Sequence, residues 1–273
     1  MNRFNNSGRF PLLAEIYGKL WRDYQESDVD KTIDTTDKEN DFSSAWQLDH
    51  YFDVGVDAVR IICESLLISG RDIPKSILDF PCGSGRVTRH LKAMFPSAAI
   101  AGCDLYESHV EFVARQFGVI PIVSKENFDE LDVGQWDLIF CGSLLTHLPS
   151  ELFWKAARFM VRSLSPNGVA VFTTEGRHSV HIHDHKWKLI EDNLFEVARR
   201  KYLEDGFGFV DYNEKFLSDA FGSQETYGVA LTNPGWLMQG LASMEDIRIL
   251  HFAERAWDDH QDVVVIGKPA VNA

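Results

Sequence analysis

The 273-residue sequence has few of the features that mark secreted or membrane-spanning proteins. Its four cysteines are widely spaced and form no C-x-x-C pair, so neither a disulfide framework nor a zinc site is predicted. No window reaches the roughly 18 apolar residues of a membrane span, and the first ten residues contain no apolar stretch typical of a signal peptide. These absences predict a cytoplasmic protein that does not bind membranes.

Basic residues are also scarce, because 27 Lys and Arg face 41 Asp and Glu and give a formal net charge of −14. Nucleic-acid binding depends on clustered Lys and Arg that neutralise phosphates, so no nucleic-acid partner is expected. Hydrophobic residues make up 45% and charged residues 25%, which excludes wholesale disorder and fibrous repeats. The sequence predicts a globular protein with a small ligand, and it predicts no particular oligomeric state.

Short apolar runs alternate with helical stretches between residues 76 and 174, which is typical of β-α units and a parallel sheet. The spacing predicts strands at 77–80, 98–103, 119–123, 136–141 and 169–173, a turn at 165–168, and two closing strands at 247–252 and 262–267. Helices are predicted at 10–24, 54–67 and 186–203. The acidic segment 26–41 has few apolar residues and is interpreted as a solvated loop or flap.

A glycine turn follows the first predicted strand. Asp79 ends that strand, Gly83 and Gly85 follow within six residues, and Asp104 ends the second strand. Glycines let a ligand approach the backbone closely, and an acid at the second strand end can accept ribose hydroxyls. The pattern predicts a nucleotide-type pocket. The alternative is that the glycines only make a tight turn, with Asp79 capping the next helix.

Four motifs together resemble the class I S-adenosylmethionine-dependent methyltransferase family over about residues 50 to 175. They are ILDFPCGSGRV (77–87), AGCDL (101–105), WDLIFCGSLLTHL (136–148) and LSPNG (164–168). The resemblance implies a Rossmann-like, doubly wound α/β fold whose seven-stranded sheet has the order 3-2-1-4-5-7-6, with strand 7 antiparallel. It also implies S-adenosyl-L-methionine as cofactor. The expected division is an N-terminal helix and acidic flap at 1–50 and a methyltransferase domain at 51–273, in which 176–240 covers the acceptor.

The resemblance also implies a set of cofactor-binding residues. Asp79 and the backbone of Gly83 and Gly85 would hold the methionine part, and Asp104 the ribose hydroxyls. Further implied positions are Pro81 and Cys82 in the first turn, Leu105 on the adenine, Ser124 and Asn127 at the adenine edge, and Ser143 and Leu144 on the methionyl side. Tyr51 and the flap before it are expected to close over the cofactor. Pro81 replaces the family's first motif glycine, so the turn must not need an N–H there.

Methyl transfer is an in-line displacement, so the protein must align the acceptor and, for a hydroxyl nucleophile, accept a proton. The candidates for this role are Glu175 and His178, which follow the fifth strand, and His147, which follows the fourth. The alternatives are a backbone-bonded helix-entry role for His147 and a plain loop role for the other two. Alternating histidines between 178 and 185 suggest a metal, but no second ligand set is evident, so a pH-sensitive lid loop is preferred and no metal is predicted.

The predicted function is methyl transfer to a small-molecule or glycan-type acceptor. An apolar acceptor pocket could be formed by the aromatic residues of the covering segment, namely Trp187, Phe207, Phe209, Tyr212, Tyr227 and Trp236. Two alternatives stay open. One is a non-catalytic Rossmann-like scaffold; the other is a nicotinamide-dependent oxidoreductase, which is disfavoured because Thr88 stands where a third glycine would be expected.

Overall fold

The computed structural model of this protein describes residues 6–35, 37, 45–186, 188–212 and 226–269. Two helices precede the sheet, α1 (Asn6–Gln25) and α2 (Ala45–Ile68), and both extend beyond the predicted limits. Leu13 and Tyr17 of α1 and Ile62 of α2 belong to one buried cluster. Apolar residues at helical spacing therefore bind both helices to the body of the protein.

Nine strands in the described residues form two sheets. They are β1 (Ser76–Asp79), β2 (Ala99–Asp104), β3 (Ile120–Val123), β4 (Trp136–Cys141), β5 (Leu164–Thr174), β6 (Phe207–Asp211), β7 (Gly228–Thr232), β8 (Arg248–Trp257) and β9 (Gln261–Gly267). The main sheet has the order β3-β2-β1-β4-β5-β9-β8, and β9 is antiparallel to both neighbours. This confirms the predicted seven-stranded sheet. The strand numbers differ because β6 and β7, which form a separate two-stranded sheet, precede the closing strands.

Three helices connect the parallel strands: α3 (Thr88–Met94), α4 (Glu107–Phe117) and α5 (Ser150–Arg162). Successive strand residues point to opposite faces, so Ile77 packs in the cluster that contains α3 and Leu78 in the cluster that contains α5. The predicted turn at 165–168 is wrong. Those residues lie within β5, where the pairing shifts from Trp136↔Leu164 to Leu138↔Val169 and the extra residues form a bulge.

The segment after β5, which we call the cap, contains α6 (Arg177–His185), α7 (Asp192–Asp205), the β6–β7 sheet and α8 (Pro234–Ala242). The predicted lid loop over the histidines is wrong because Ser179, Ile182 and His183 fall on one buried helical face. The helix predicted at 186–203 begins only at Asp192. The cap has a small core of its own, formed by Ile190, Phe195, Ala198, Tyr202, Val229 and Leu231.

None of the helices in the described part of the chain is long and apolar enough to cross a membrane.

Candidate active site

A cavity of about 1020 Å³ lies at the carboxyl ends of β1, β2 and β4. Its wall is formed by the segments that leave these strands, at 80–84, 104–106 and 142–144, and by residues 124–128 after β3. The predicted cofactor residues that reach the wall are Pro81, Cys82, Gly83, Asp104, Leu105, Ser124, Asn127, Ser143 and Leu144. The topology thus brings together motifs that are separated by more than 60 residues in the sequence.

The two motif glycines have different surroundings. Gly83 has a φ of 49°, and a Cβ placed on it would meet no described atom within 4 Å. Gly85 has a φ of 82°, and a Cβ there would lie 2.4 Å from Cε2 of Phe117 on α4. Gly83 therefore keeps the backbone open beside the cavity, whereas Gly85, which lies outside the cavity wall, lets α4 approach the turn.

Asp104 is oriented by the glycine turn. Its Oδ2 accepts a hydrogen bond from the Gly83 N–H at 2.8 Å, and its Oδ1 accepts one from the Tyr106 N–H at 3.0 Å. Nδ1 of His109 lies 3.3 Å from the same Oδ1. A carboxylate offers about four lone-pair directions, so these contacts fix its orientation and leave it able to accept further hydrogen bonds from a ligand.

Asp79 lies below the cavity rather than in its wall. Its Oδ2 accepts a hydrogen bond from the Thr88 hydroxyl at 2.6 Å, which ties the end of β1 to the first residue of α3. Burial raises the pKa of this carboxyl to about 7, and the nearby charge of Asp104 acts in the same direction. Asp79 therefore supports the turn from behind.

Pro81 is compatible with the turn because its neighbours supply the hydrogen bonds. The Cys82 N–H donates to the Cys103 carbonyl at 3.0 Å, and the Gly85 N–H donates to the Cys82 carbonyl at 2.9 Å. The turn does not use an N–H at position 81. Proline can therefore replace the family's glycine without the loss of a hydrogen bond at this position.

Part of the acidic segment is held against the domain, which corrects its interpretation as a wholly solvated flap. The guanidinium of Arg89 is buried on α3 and donates to the carbonyls of Asp30 and Thr32 at 3.1 and 2.8 Å. The hydroxyl of Tyr51, itself behind the wall, donates to Asp37 at 2.9 Å, and Asp37 lines the cavity. Sequence reasoning placed Tyr51 at the cofactor but missed Asp37, because an acid within an acidic run has no distinguishing signal.

His147 lies in the cavity wall at the side covered by the cap. Its Nδ1 lies 2.8 Å from the carbonyl oxygen of Gly228 on β7 and 3.2 Å from the Tyr212 hydroxyl. Its ring stacks on Tyr227, with centroids 4.6 Å apart. The backbone bond matches one alternative prediction for this histidine, although the carbonyl belongs to the cap rather than to the following helix.

Glu175 and His178 lie outside the cavity wall. Glu175 is buried at the end of β5, and its Oε1 lies 3.1 Å from Nε2 of His260. Burial acts to raise the pKa of Glu175, but the hydrogen bond and the charge of His260 outweigh it, and the charge of His147 adds to them, so the pKa is lowered. His178 lies in the first turn of α6, and burial lowers its pKa.

Helix α6 places His183 on its buried face and stacks His178, His181 and His185 along another. His183 accepts a hydrogen bond from the Leu189 N–H at Nδ1, and its Nε2 lies 3.2 Å from Asp192, whereas His181 stacks on His185 at 4.2 Å. The described residues contain no group of three or more side chains placed to hold a metal ion.

Of the cap aromatics, Tyr227 reaches the cavity wall. Phe207 and Trp236 stack on each other at 4.5 Å and pack against Phe153 of α5, so they belong to the core under the cap. Tyr212 contacts His147, Phe209 is half-buried on β6, and Trp187 lies outside the described residues. The sequence pattern could not distinguish aromatic residues that line the cavity from those that pack in the core, because an aromatic ring suits both positions.

Two further contacts come from residues that the sequence analysis did not single out. The side-chain amide of Gln261 on β9 donates to the Ser143 hydroxyl at 2.7 Å, across 118 residues of sequence. At the start of α6, a Cβ on Gly176 would lie 1.9 Å from Oδ2 of Asp262. Neither pair has a local sequence signal, because each forms only when β9 pairs with β5.

Comparison with known proteins finds similarity over part of this chain. Residues 78–170, about a third of the chain, match the family model described as a methyltransferase domain. Malonyl-[acyl-carrier protein] O-methyltransferase of Hahella chejuensis is 28% identical over 159 residues, which cover 57% of this chain and 50% of that protein. The enzyme of the same name from Legionella pneumophila is 32% identical over 107 residues, covering 38% of this chain and 37% of the relative. The chain thus spans about half, or less, of the curated relatives it matches.

Solved structures show the same fold. An S-adenosylmethionine-dependent methyltransferase from Clostridium acetobutylicum aligns with a TM-score of 0.51 at 15% identity over 95% of this chain and 98% of that one. DesVI of Streptomyces venezuelae aligns with a TM-score of 0.53 at 14% identity over 84% and 99%. The fold and the matched segment define a class I methyltransferase domain. The chain thus has the fold of the S-adenosylmethionine-dependent methyltransferases, and S-adenosyl-L-methionine is the cofactor that this class uses.

Proposed function

We propose that this protein transfers a methyl group from S-adenosylmethionine to a small-molecule or glycan-type acceptor that enters beside the cap. The observation that carries the proposal is the continuous cavity. The glycine turn and Asp104 line one part of it, and His147 and Tyr227 line another. Its volume of about 1020 Å³ is at the upper end of the usual range for a single ligand site, which suits two ligands bound together.

The donor would bind along the strand ends. Asp104, already oriented by the Gly83 and Tyr106 N–H groups, would accept hydrogen bonds from the ribose hydroxyls. Leu105, Ser124 and Asn127 would surround the adenine, and the open backbone at Gly83 would face the methionine part. Three residues would act from behind the wall. Asp79 would hold the turn, Gly85 would let α4 approach it, and Tyr51 would hold Asp37.

Among the three predicted candidates, His147 is the best placed to accept a proton. A carbonyl oxygen can only accept a hydrogen bond, so the 2.8 Å contact with Gly228 places the imidazole proton on Nδ1. Nε2 is then the basic nitrogen of the ring. When bound, S-adenosylmethionine would supply the methyl group: the methyl carbon would bond to a lone pair of the acceptor as its bond to sulfur breaks, and the electron pair of that bond would stay on the sulfur of S-adenosylhomocysteine. The acceptor's proton would pass to Nε2 of His147.

We also propose the predicted division of the chain. Residues 1–50 form an N-terminal helix and flap, residues 51–273 form the catalytic domain, and residues 176–240 of that domain cover the acceptor. The separate β6–β7 sheet and the small core of the cap support this division. So does the contact between Gly228 of the cap and His147 of the cavity wall.

Calorimetric titration with S-adenosylmethionine, S-adenosylhomocysteine and NADH tests the cofactor assignment. Both sulfur compounds should bind, and Asp104→Ala should weaken them by about 10- to 100-fold, since hydrogen bonds to a charged group are lost. Asp246→Ala, at an exposed position, is the matched control. A wild-type protein that binds neither sulfur compound would overturn the proposal and favour the scaffold function, whereas binding of NADH alone would favour the oxidoreductase.

Transfer of labelled methyl groups to a panel of acceptors tests the reaction. The panel should include small hydroxyl and amino compounds, sugars and a malonyl thioester, because the relatives are named as O-methyltransferases of a malonyl group. With any acceptor found, His147→Gln should lower the rate about 100-fold without changing the affinity for S-adenosylhomocysteine. An unchanged rate would exclude His147 as the base.

A further inference from the structure

Ser143 has an unusual backbone conformation for a residue in the cavity wall. It follows β4 with a φ of 55°, in the left-handed region that a residue with a Cβ seldom adopts. Such a conformation persists where the surrounding structure determines it, and it is common at ligand-binding sites. The contacts that hold Ser143 therefore bear on how the cavity recognises its ligand.

Each backbone polar group of Ser143 has a defined partner. Its N–H donates to the Thr173 hydroxyl at 2.9 Å, and its carbonyl accepts from the Thr146 hydroxyl at 3.0 Å. The third contact is to the side chain, whose Oγ accepts from Nε2 of Gln261 at 2.7 Å. Thr173 belongs to β5 and Gln261 to β9, so two neighbouring strands hold the residue from behind.

The contact with Gln261 restricts where the hydroxyl hydrogen of Ser143 can point. A serine hydroxyl has one hydrogen to donate and two lone pairs. Because the amide of Gln261 donates to one lone pair, the hydroxyl hydrogen must point elsewhere, and Ser143 faces the cavity. Gln261 is only 5% exposed, so it holds this orientation without contacting the ligand itself.

We infer that Gln261 is a positioning residue that makes the Ser143 hydroxyl a hydrogen-bond donor to the methionine carboxylate of the cofactor. This inference rests on the proposed function, since it takes the donor to lie along the strand ends with its methionine part at Ser143. The carboxylate is the strongest hydrogen-bond acceptor of that part of the cofactor. Gln261 lies on the antiparallel strand β9, outside the segment that matches the family model.

The test compares two ligands that differ in the group concerned. S-adenosylhomocysteine carries the amino-acid carboxylate, and 5′-methylthioadenosine has the same adenosine and sulfur without it. Gln261→Glu exchanges the amide donor for an acceptor, so the Ser143 hydroxyl would turn to donate to residue 261. Calorimetry should show about 5- to 20-fold weaker binding of S-adenosylhomocysteine, as expected for loss of one hydrogen bond to a charged group, with binding of 5′-methylthioadenosine unchanged.

A double-mutant cycle shows whether Gln261 acts through Ser143. Ser143→Ala should weaken S-adenosylhomocysteine by a similar factor, and the double variant should be no weaker than either single variant. Gln261→Met, which has similar length and no hydrogen bond, should give an intermediate loss. Gln239→Glu, at an exposed position on α8, is the matched control.

Several outcomes would overturn the inference. Unchanged binding of S-adenosylhomocysteine by Gln261→Glu would show that Ser143 donates to Gln261 rather than to the ligand. Equal losses for both ligands would show a general disturbance of the fold, and additive losses in the double variant would show that the two residues act independently. If the wild-type protein binds neither ligand, the proposed function itself fails, which is a different result from wild-type binding with unaffected variants.

Discussion

The two ends of the cavity are built in different ways. One end, where we propose that the donor binds and which we call the donor end, consists of short turns that leave neighbouring parallel strands. Its geometry is fixed by backbone hydrogen bonds such as those from Gly83 and Tyr106 to Asp104. The cap consists of helices and a two-stranded sheet held by side-chain packing around Phe195. The family model matches residues 78–170 and ends before the cap begins. The donor end is thus oriented by a local backbone motif, whereas the cap depends on the packing of its own core.

The largest effect is expected from breaking the cap. Phe195 is fully buried and stacks on His183 with centroids 3.4 Å apart. Phe195→Ala should lower the free energy of unfolding measured in urea by about 4 kcal/mol, through lost burial and an unfilled cavity. Affinity for S-adenosylhomocysteine should change less than about twofold if the cap is separable. Leu203→Ala, on the exposed face of the same helix, is the control. Parallel loss of stability and affinity would show that the two ends form one cooperative unit.

A smaller effect separates the two glycines of the donor end. Gly85→Ala would place a Cβ 2.4 Å from Phe117 at a positive φ, so it should cost about 3 kcal/mol of unfolding free energy. Gly83→Ala places a Cβ at a positive φ without a clash, so it should cost about 1 kcal/mol of unfolding free energy. It should also weaken S-adenosylhomocysteine binding, because the added methyl group faces the cavity. Urea unfolding and calorimetry of both variants test this contrast, and equal stability losses would contradict it.

The smallest effect is a pH dependence at the junction of the sheet and the cap. Burial acts to lower the pKa of His260, but Glu175, Asp258 and Asp262 outweigh it and raise that pKa above 6.5, whereas the pKa of Glu175 lies below 4.5. The contribution of His260 is complete below pH 6.5 and is lost as the pH rises through its raised pKa. That of Glu175 is complete above pH 4.5 and is lost as the pH falls. The pair therefore stabilises the fold most between about pH 4.5 and 6.5.

Unfolding free energies at pH 5.5 and pH 8 test this pair. The wild-type protein should lose stability between these values, and burial of Asp262, whose pKa is raised to about 6, adds to the loss in the same direction. His260→Gln should show a smaller loss, whereas His185→Gln, on the exposed part of α6, should behave like the wild type. A wild-type slope retained in His260→Gln would assign the dependence to other groups.

The sequence predicted the sheet and the position of the glycine turn beside Asp104, because this information is local. Alternating apolar runs predicted the sheet, and the positions of Asp104 and Gly83 after two neighbouring strands placed them at one edge. The packing role of Gly85 could not be predicted, because it depends on where Phe117 lies across the turn. The histidine run was interpreted as a loop because its alternation suggested a metal site for which no second ligand set was evident. Burial of Ser179, Ile182 and His183 on one face instead makes it a helix. Gln261 had no signal, since its partner lies 118 residues away.

The contact between Gly176 and Asp262 has a consequence for evolution. A Cβ at position 176 would lie 1.9 Å from the Asp262 carboxylate, so a larger residue there would require the aspartate side chain to move. The two positions lie 86 residues apart, on segments that meet only through the pairing of β5 with β9. In homologues with the same pairing of β5 and β9, a side chain at 176 is expected to occur together with a smaller residue at 262. Changes at the two positions would then be coupled in evolution. Residue 262 would have to become smaller before residue 176 could gain a side chain.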